Sequence, residues 1–184
     1  MKIFIVAGHH RKNLVHSRDP GSVKYKDGKE VDNEHWMIER LLIPALKCFT
    51  KDAVIVCPYT YNLRDKIKWI NKKCNKDDIV LSIHINAGGG TGTEVFYSPK
   101  SRRGFIWGKK ISKIVSTALG IRNRGGKKDS TERLGIIRET NCTSMLLEMG
   151  FMDSNNDYCQ LNNHGVQALI EVIEYLLKIS LKFN

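Results

Sequence analysis

Two histidines and two glutamates sit where side chains of their type could act together. His9 follows a glycine at the end of the apolar run "KIFIVA", residues 2–7. His84 lies inside "IVLSIHINA", residues 79–87, a β-branched run with no charge in it, and Asn86 follows it. Glu148 closes "SMLLE" and precedes Met149-Gly150-Phe151. Glu34 stands four residues before Ile38, so on a helix it heads the apolar face and is a costly place to leave a carboxylate unpaired. Two neutral imidazoles, one carboxylate and an open position for water make a catalytic zinc site. Such an ion brings the pKa of its water to about 7 and polarises a carbonyl. A neighbouring carboxylate outside the ligand set can take the water's proton and return it to a leaving amine. His9, Glu34 and His84 suit the ligand set, one zinc per chain, and Glu148 suits the base.

Each residue also has a plainer reading. A histidine in an apolar strand can be a satisfied core residue. Glu148 could cap a helix, and Glu34 could pair with a lysine. Glu30 is a second candidate ligand in the long charged segment between His9 and Glu34. His10, His16, His35 and His164 have no comparable placement and read as surface or supporting residues.

Strand-length apolar runs alternate with helical stripes, and this alternation would bring the four groups together. "KIFIVA", "AVIVC" (53–57), "IVLSIHI" (79–85), "TEVFY" (93–97), "LGIIR" (134–138) and "SMLLE" (144–148) read as strands. Ile38, Leu41, Leu42, Ala45, Leu46 and Phe49 recur at helix spacing, with Pro44 expected to kink or split that helix. Asp32 or Asn33 could cap it. Ile67, Ile70 and Cys74 mark a second helix. Trp107, Ile111, Ile114, Val115 and Ala118 mark a third. Val166, Leu169, Ile170, Ile173, Leu176 and Leu177 mark a last amphipathic one. The pattern predicts a single α/β domain: a six-stranded, mostly parallel twisted sheet flanked by helices on both faces. Sites in such sheets form beyond the carboxyl ends of the strands.

The bulk composition narrows the class. The chain has 184 residues, 41% hydrophobic and 27% charged, enough for one globular core. It lacks the ~20 uninterrupted apolar residues of a membrane helix, so no membrane insertion is expected. "MKIFIVAGHH" has one lysine, a short apolar run and no small-residue cleavage site, so no secretory leader is expected. Five scattered cysteines without C-x-x-C spacing argue against a disulfide framework and for synthesis in a reducing cytoplasm. The excess of 30 Lys+Arg over 19 Asp+Glu, a net charge of +11, favours anionic partners. The densest basic run, "RNRGGKK" with Arg122, Arg124, Lys127 and Lys128, has no interleaved aromatic for stacking on bases and reads as a solvated loop, so nucleic acid is not the expected partner.

At these residues the chain resembles the zinc-dependent N-acetylmuramoyl-L-alanine amidase domain of bacterial autolysins and phage endolysins. "LSIHINA" followed by "GTEVFY" is the most specific part. "LGIIRETNCTSMLLEMGFMDSNND" is similar to the family's closing block, and "NRGGKK" and Arg64 also fall where the family has similar residues. The similarity extends over essentially the whole chain. It implies His9, Glu34 and His84 as zinc ligands and Glu148 as the catalytic glutamate. It also implies cleavage of the amide between N-acetylmuramic acid and L-alanine in peptidoglycan. For such a turnover the expected oxyanion partners, beside the zinc, are a cationic or amide group such as Arg138 or Asn86. The family usually opens with Asp-Pro-Gly-His, where this chain has Val6-Ala7-Gly8-His9, and a proline usual near position 144 is missing. The whole of 1–184 is then expected to be one catalytic domain without a separate wall-binding module. Its positive surface would meet anionic wall polymers, and it would act on the wall after release, as an endolysin or a mother-cell autolysin does, the endolysin being the favoured expectation. A zinc peptidase on another amide and a non-enzymatic basic binder are the rival readings.

Overall fold

The computed structural model of the chain describes residues 1–9, 21–50, 52, 54–131 and 133–182. In chain order the described elements are β1 (Ile3–Ala7), β2 (Val23–Lys26), β3 (Lys29–Asn33), α1 (Glu34–Leu46), β4 (Val54–Val56), α2 (Leu63–Lys73), β5 (Ile79–Asn86), β6 (Thr93–Tyr97), α3 (Arg102–Leu119), β7 (Asn123–Lys128), α4 (Gly135–Arg138), β8 (Thr143–Phe151) and α5 (Asn155–Lys182). Six strands form one sheet in the order β4-β1-β5-β8-β6-β7. All pairs are parallel except β6–β8. The central strands are apolar on both faces because helices cover both, as parallel sheets require. Ile3, Ile5, Ile83 and Leu147 face α1, α3 and α5. Phe4, Val6, Val80 and Leu146 face α2 and α4. No helix among the described residues is long and apolar enough to cross a membrane.

The sixth strand differs from the sequence expectation. "LGIIR" forms the single turn α4, not a strand. Its consecutive residues Ile136 and Ile137 both pack into the one cluster on the α2 side of the sheet, whereas a strand would have sent them to opposite faces. The vacant place at the sheet edge is taken by "NRGGKK", read above as a loop, which pairs in parallel with β6 as β7. This edge strand has no fully buried residue, so it shows no apolar alternation. Between Gly8 and α1 the charged segment carries an antiparallel hairpin, β2–β3, that the sequence did not announce. Pro44 neither splits nor interrupts α1, because it falls in the last turn and the helix ends at Leu46. His10 and His16 lie outside the described residues.

The start of α1 is fixed firmly. The Asn33 side chain caps it, accepting from the Trp36 N–H at 3.0 Å. Next to it the buried Asp32 accepts from Tyr158 Oη of α5 at 2.9 Å and from Arg40 Nη1 at 3.1 Å. The first residue of α1, Glu34, is thereby held at the edge of the sheet.

Candidate metal centre

Strand register sets the site. Gly8 continues β1 and donates its N–H to the Ile83 carbonyl at 2.8 Å. His84 pairs with Glu148 across β5–β8, and Glu148 pairs with Glu94 across β8–β6. Partners in register share a face, so His84, Glu148 and Glu94 form one polar row near the carboxyl ends of the parallel strands. Glu34 reaches the end of this row from the opposite face. Its Oε1 lies 3.0 Å from His84 Nδ1 and accepts the Ile85 N–H at 3.1 Å. Its Oε2 lies 3.3 Å from His9 Nε2 and accepts the Ser22 N–H at 2.9 Å. Ser22 Oγ closes the loop by donating to the Ile85 carbonyl at 2.6 Å. The two imidazoles meet edge to face, 5.1 Å between ring centres at 82°.

Two glycines make room for this arrangement. A Cβ on Gly8 would come within 2.4 Å of the His84 ring. Gly21, at φ +70°, would place a Cβ 2.3 Å from Glu34 Oε2. Both are positions where only a missing side chain lets backbone and site approach.

One donor atom from each of His9, Glu34 and His84 lies within 4.8 Å of the others, the one cluster of this kind among the described residues. Two imidazoles and a carboxylate are the donor set of an open zinc site. The residues fit a divalent cation in type and spacing. Glu30, the other carboxylate of that segment, sits exposed on β3 and accepts from Asn33 Nδ2 at 2.8 Å.

The charges around the row differ in their balance. Burial alone would raise the Glu34 carboxyl, but the hydrogen bond and charge of His84, then His9 and the Ser22 amide, hold it below the usual carboxylate range. Glu94 is likewise opposed by burial and brought low by Arg124 and Lys127, with Arg124 Nε at 2.7 Å and Lys127 also paired to it. Glu148 has no such cations. Burial, then the charges of Glu34 and Glu94, push it up to about 8. Its Oε2 is buried and meets no hydrogen-bond partner among the described residues. A carboxylate with one buried, unpartnered oxygen, in register with His84, is poised to exchange a proton.

Other expected residues are placed as follows. Asn86 follows His84 by two positions, and its amide donates to Glu94 Oε1 at 3.4 Å. Arg138 ends α4, pairs with Glu139, and borders a surface hollow with Ser98, Lys100 and Asp129. His35 is buried against Glu39, Nε2 to Oε2 3.5 Å, and His164 is exposed on α5. A cavity of about 180 Å³ opens directly beside His9 and His84, with Leu63, Arg133, Leu134 and Ile136 along its far wall. Arg133, Ser22 and the Glu94–Arg124–Lys127 cluster escaped sequence reasoning. Glu94 carried a signal as an acid inside the strand "TEVFY", and Arg124 and Lys127 carried one in the basic run "NRGGKK", which read as a solvated loop.

Residues 3–174 match the protein family described as N-acetylmuramoyl-L-alanine amidase. Among curated proteins the chain is 39% identical over 85 residues to the N-acetylmuramoyl-L-alanine amidase CwlM of Bacillus licheniformis, covering 44% of this chain and 31% of that protein. It is 35% identical over 114 residues to an uncharacterized cell wall amidase of Bacillus anthracis, covering 56% of this chain and 20% of that one. The chain thus spans a fifth to about a third of the length of these relatives. Among solved structures it is similar to the catalytic domain of the CD27L endolysin targeting Clostridia Difficile, with TM-score 0.68, 26% identity and 94% of each chain covered. An N-acetylmuramoyl-L-alanine amidase from Clostridium difficile 630 shares the fold at TM-score 0.74 and 20% identity, with 99% of this chain and 96% of that chain covered.

Proposed function

The chain belongs to the N-acetylmuramoyl-L-alanine amidase family, and from that premise we propose a zinc-dependent hydrolase that cuts the amide between N-acetylmuramic acid and L-alanine in peptidoglycan. The observation that carries the reading is the convergence of His9, Glu34 and His84 with Glu148 in register beside them. His9, Glu34 and His84 would hold the zinc. When bound, the ion supplies a polarised carbonyl and an acidified water.

The chain's own groups do the rest. Glu148, with its unpartnered Oε2, takes the proton of the attacking water and returns it to the departing alanine nitrogen. Glu34, held in place by the Ser22 and Ile85 amides, stays ionised and faces the two imidazoles with which it would share the ion. Glu94, neutralised by Arg124 and Lys127, keeps the Asn86 amide at the end of β5, where it can meet the developing oxyanion. Arg138, two residues beyond the cavity wall formed by 133–136, is assigned a supporting contact to substrate. The stem peptide occupies the cavity beside His9 and His84, with Arg133 on its wall. Residues 1–184 act as one catalytic domain, and the net charge of +11 draws it to anionic wall polymers. Likeness to an endolysin's catalytic domain supports a lytic role after release from the cytoplasm.

The test is digestion of purified peptidoglycan by the full chain. New N-terminal L-alanine and muramyl products lacking peptide are expected, lost on chelation and regained with zinc. Cleavage elsewhere in the stem peptide, or release that is indifferent to chelator, would overturn the reading.

A further inference from the structure

Lys66 is fully buried in the first half of α2, 1% exposed, within an otherwise apolar contact face. Its Nζ donates to the carbonyls of Ala7 at 2.7 Å, Gly8 at 3.0 Å and His9 at 2.9 Å. An ammonium offers three donors, and here three successive carbonyls meet it. In an extended strand successive carbonyls alternate in direction, so convergence of three on one atom means that the chain curls around it. The curl begins at Ala7, the last residue of β1 paired in the sheet, and ends at His9. Burying a cation is costly, and apolar residues of similar volume often serve stability as well or better. What the charge contributes here is geometry: it fixes the turn from which His9 projects.

We propose that Lys66 is the positioning residue of the metal centre, clamping the 7–9 turn so that His9 Nε2 meets Glu34 Oε2. The inference rests on the reading of His9 as a ligand. Lys66 also lines the cavity beside His9 and His84, but all three of its carbonyl contacts go to residues 7–9, and in this role it acts through His9. The Gly8 position supports it from the other side: the turn passes so close to the His84 ring that a Cβ there would clash at 2.4 Å. The ammonium on one side and the imidazole on the other leave the turn a single course.

The experiment compares wild type with Lys66→Met, Lys66→Arg and His9→Ala, using zinc and cobalt ions alone as probes. Lys66→Met should unfold thermally at or above the wild-type temperature in the metal-free state, yet bind zinc roughly 10- to 100-fold more weakly, the loss usual when a ligand's support is removed. Its cobalt absorption spectrum should change, and Lys66→Arg should regain part of the affinity. In a His9→Ala background Lys66→Met should cost no further affinity. Wild-type affinity and spectrum in Lys66→Met, or an undiminished loss in the His9→Ala background, overturns the proposal. Should Lys66→Met fail to fold, Lys66→Gln replaces it, and failure of both overturns the proposal, because the lysine then serves the fold. The His9 ring NMR signals in the metal-free protein keep the two readings apart. Lys66→Met shifts them if the clamp holds and leaves them unmoved if it does not, whether or not zinc binds. A wild type that takes up no zinc refutes the metal reading alone.

Discussion

Replacing Glu148 by Gln should stabilise the metal-free protein above neutral pH while abolishing turnover. Glu148 is raised from 4.5 to about 8 by burial and by the charges of Glu34 and Glu94. Its folded form therefore holds a proton more tightly than its unfolded form. The associated stability is fully present below pH 4.5 and is lost as the pH rises from there through about 8. The full displacement corresponds to ~5 kcal/mol. Half-burial of the residue lets solvent screen part of that, leaving ~2 kcal/mol. For a domain of this size that is roughly 4–8 °C in melting temperature. Glutamine keeps the shape and removes the charge. Thermal unfolding of chelated wild type and Glu148→Gln at pH 5, 6.5 and 8.5 reads the difference: smallest at pH 5, with the variant higher by several degrees at pH 8.5. The opposite contribution, from the lowered Glu34, changes only below 4.5 and leaves this window untouched. Bound zinc would oppose the two carboxylate charges, so the gap should narrow in the metal-loaded proteins. A melting difference that is the same at all three pH values would refute the reasoning about Glu148's surroundings.

Three further outcomes follow from the geometry. Gly8→Ala places a methyl 2.4 Å from the His84 ring; zinc affinity measured by chelator competition should fall at least tenfold, with a far-ultraviolet dichroism spectrum like that of the wild type. Arg133→Ala removes the cation from the cavity wall beside His9 and His84 and should raise KM for soluble muropeptides several-fold with kcat little changed. Arg124→Ala leaves the buried Glu94 with one paired cation fewer; denaturant unfolding should show a loss of ~2 kcal/mol, the scale of a broken buried pair that keeps one partner.

The sequence was most informative where one force dominated. Ile79, Val80, Leu81, Ile83 and Ile85 could only be a strand covered on both sides, so His84 inside it was conspicuous. Glu34 was legible by helical phase, because a carboxylate heading the face of Ile38, Leu41 and Leu42 is expensive without a partner. β7 was not legible: Asn123–Lys128 has no apolar alternation, and its place in the sheet depends on Glu94 pairing with Arg124 and Lys127 from the neighbouring strand. α4 was misleading for the converse reason, since Leu134, Ile136 and Ile137 have strand composition but pack as one helical turn against the α2 face. Ser22 meets Glu34 through its backbone N–H, which carries no sequence signal, and its hydroxyl bond to the Ile85 carbonyl appears only once the chain is folded. Lys66 carries no signal in the sequence, and only the path of residues 7–9 reveals what it holds.

The most direct test is the metal content of the purified full chain beside His9→Ala, Glu34→Gln and His84→Ala, with the bound ion located by anomalous diffraction at the zinc edge. One zinc per chain in the wild type, seated among those three side chains and strongly depleted in every variant, is the expected result. A wild type that releases N-terminal L-alanine from peptidoglycan with no metal bound, or an ion held by residues other than these, would contradict it.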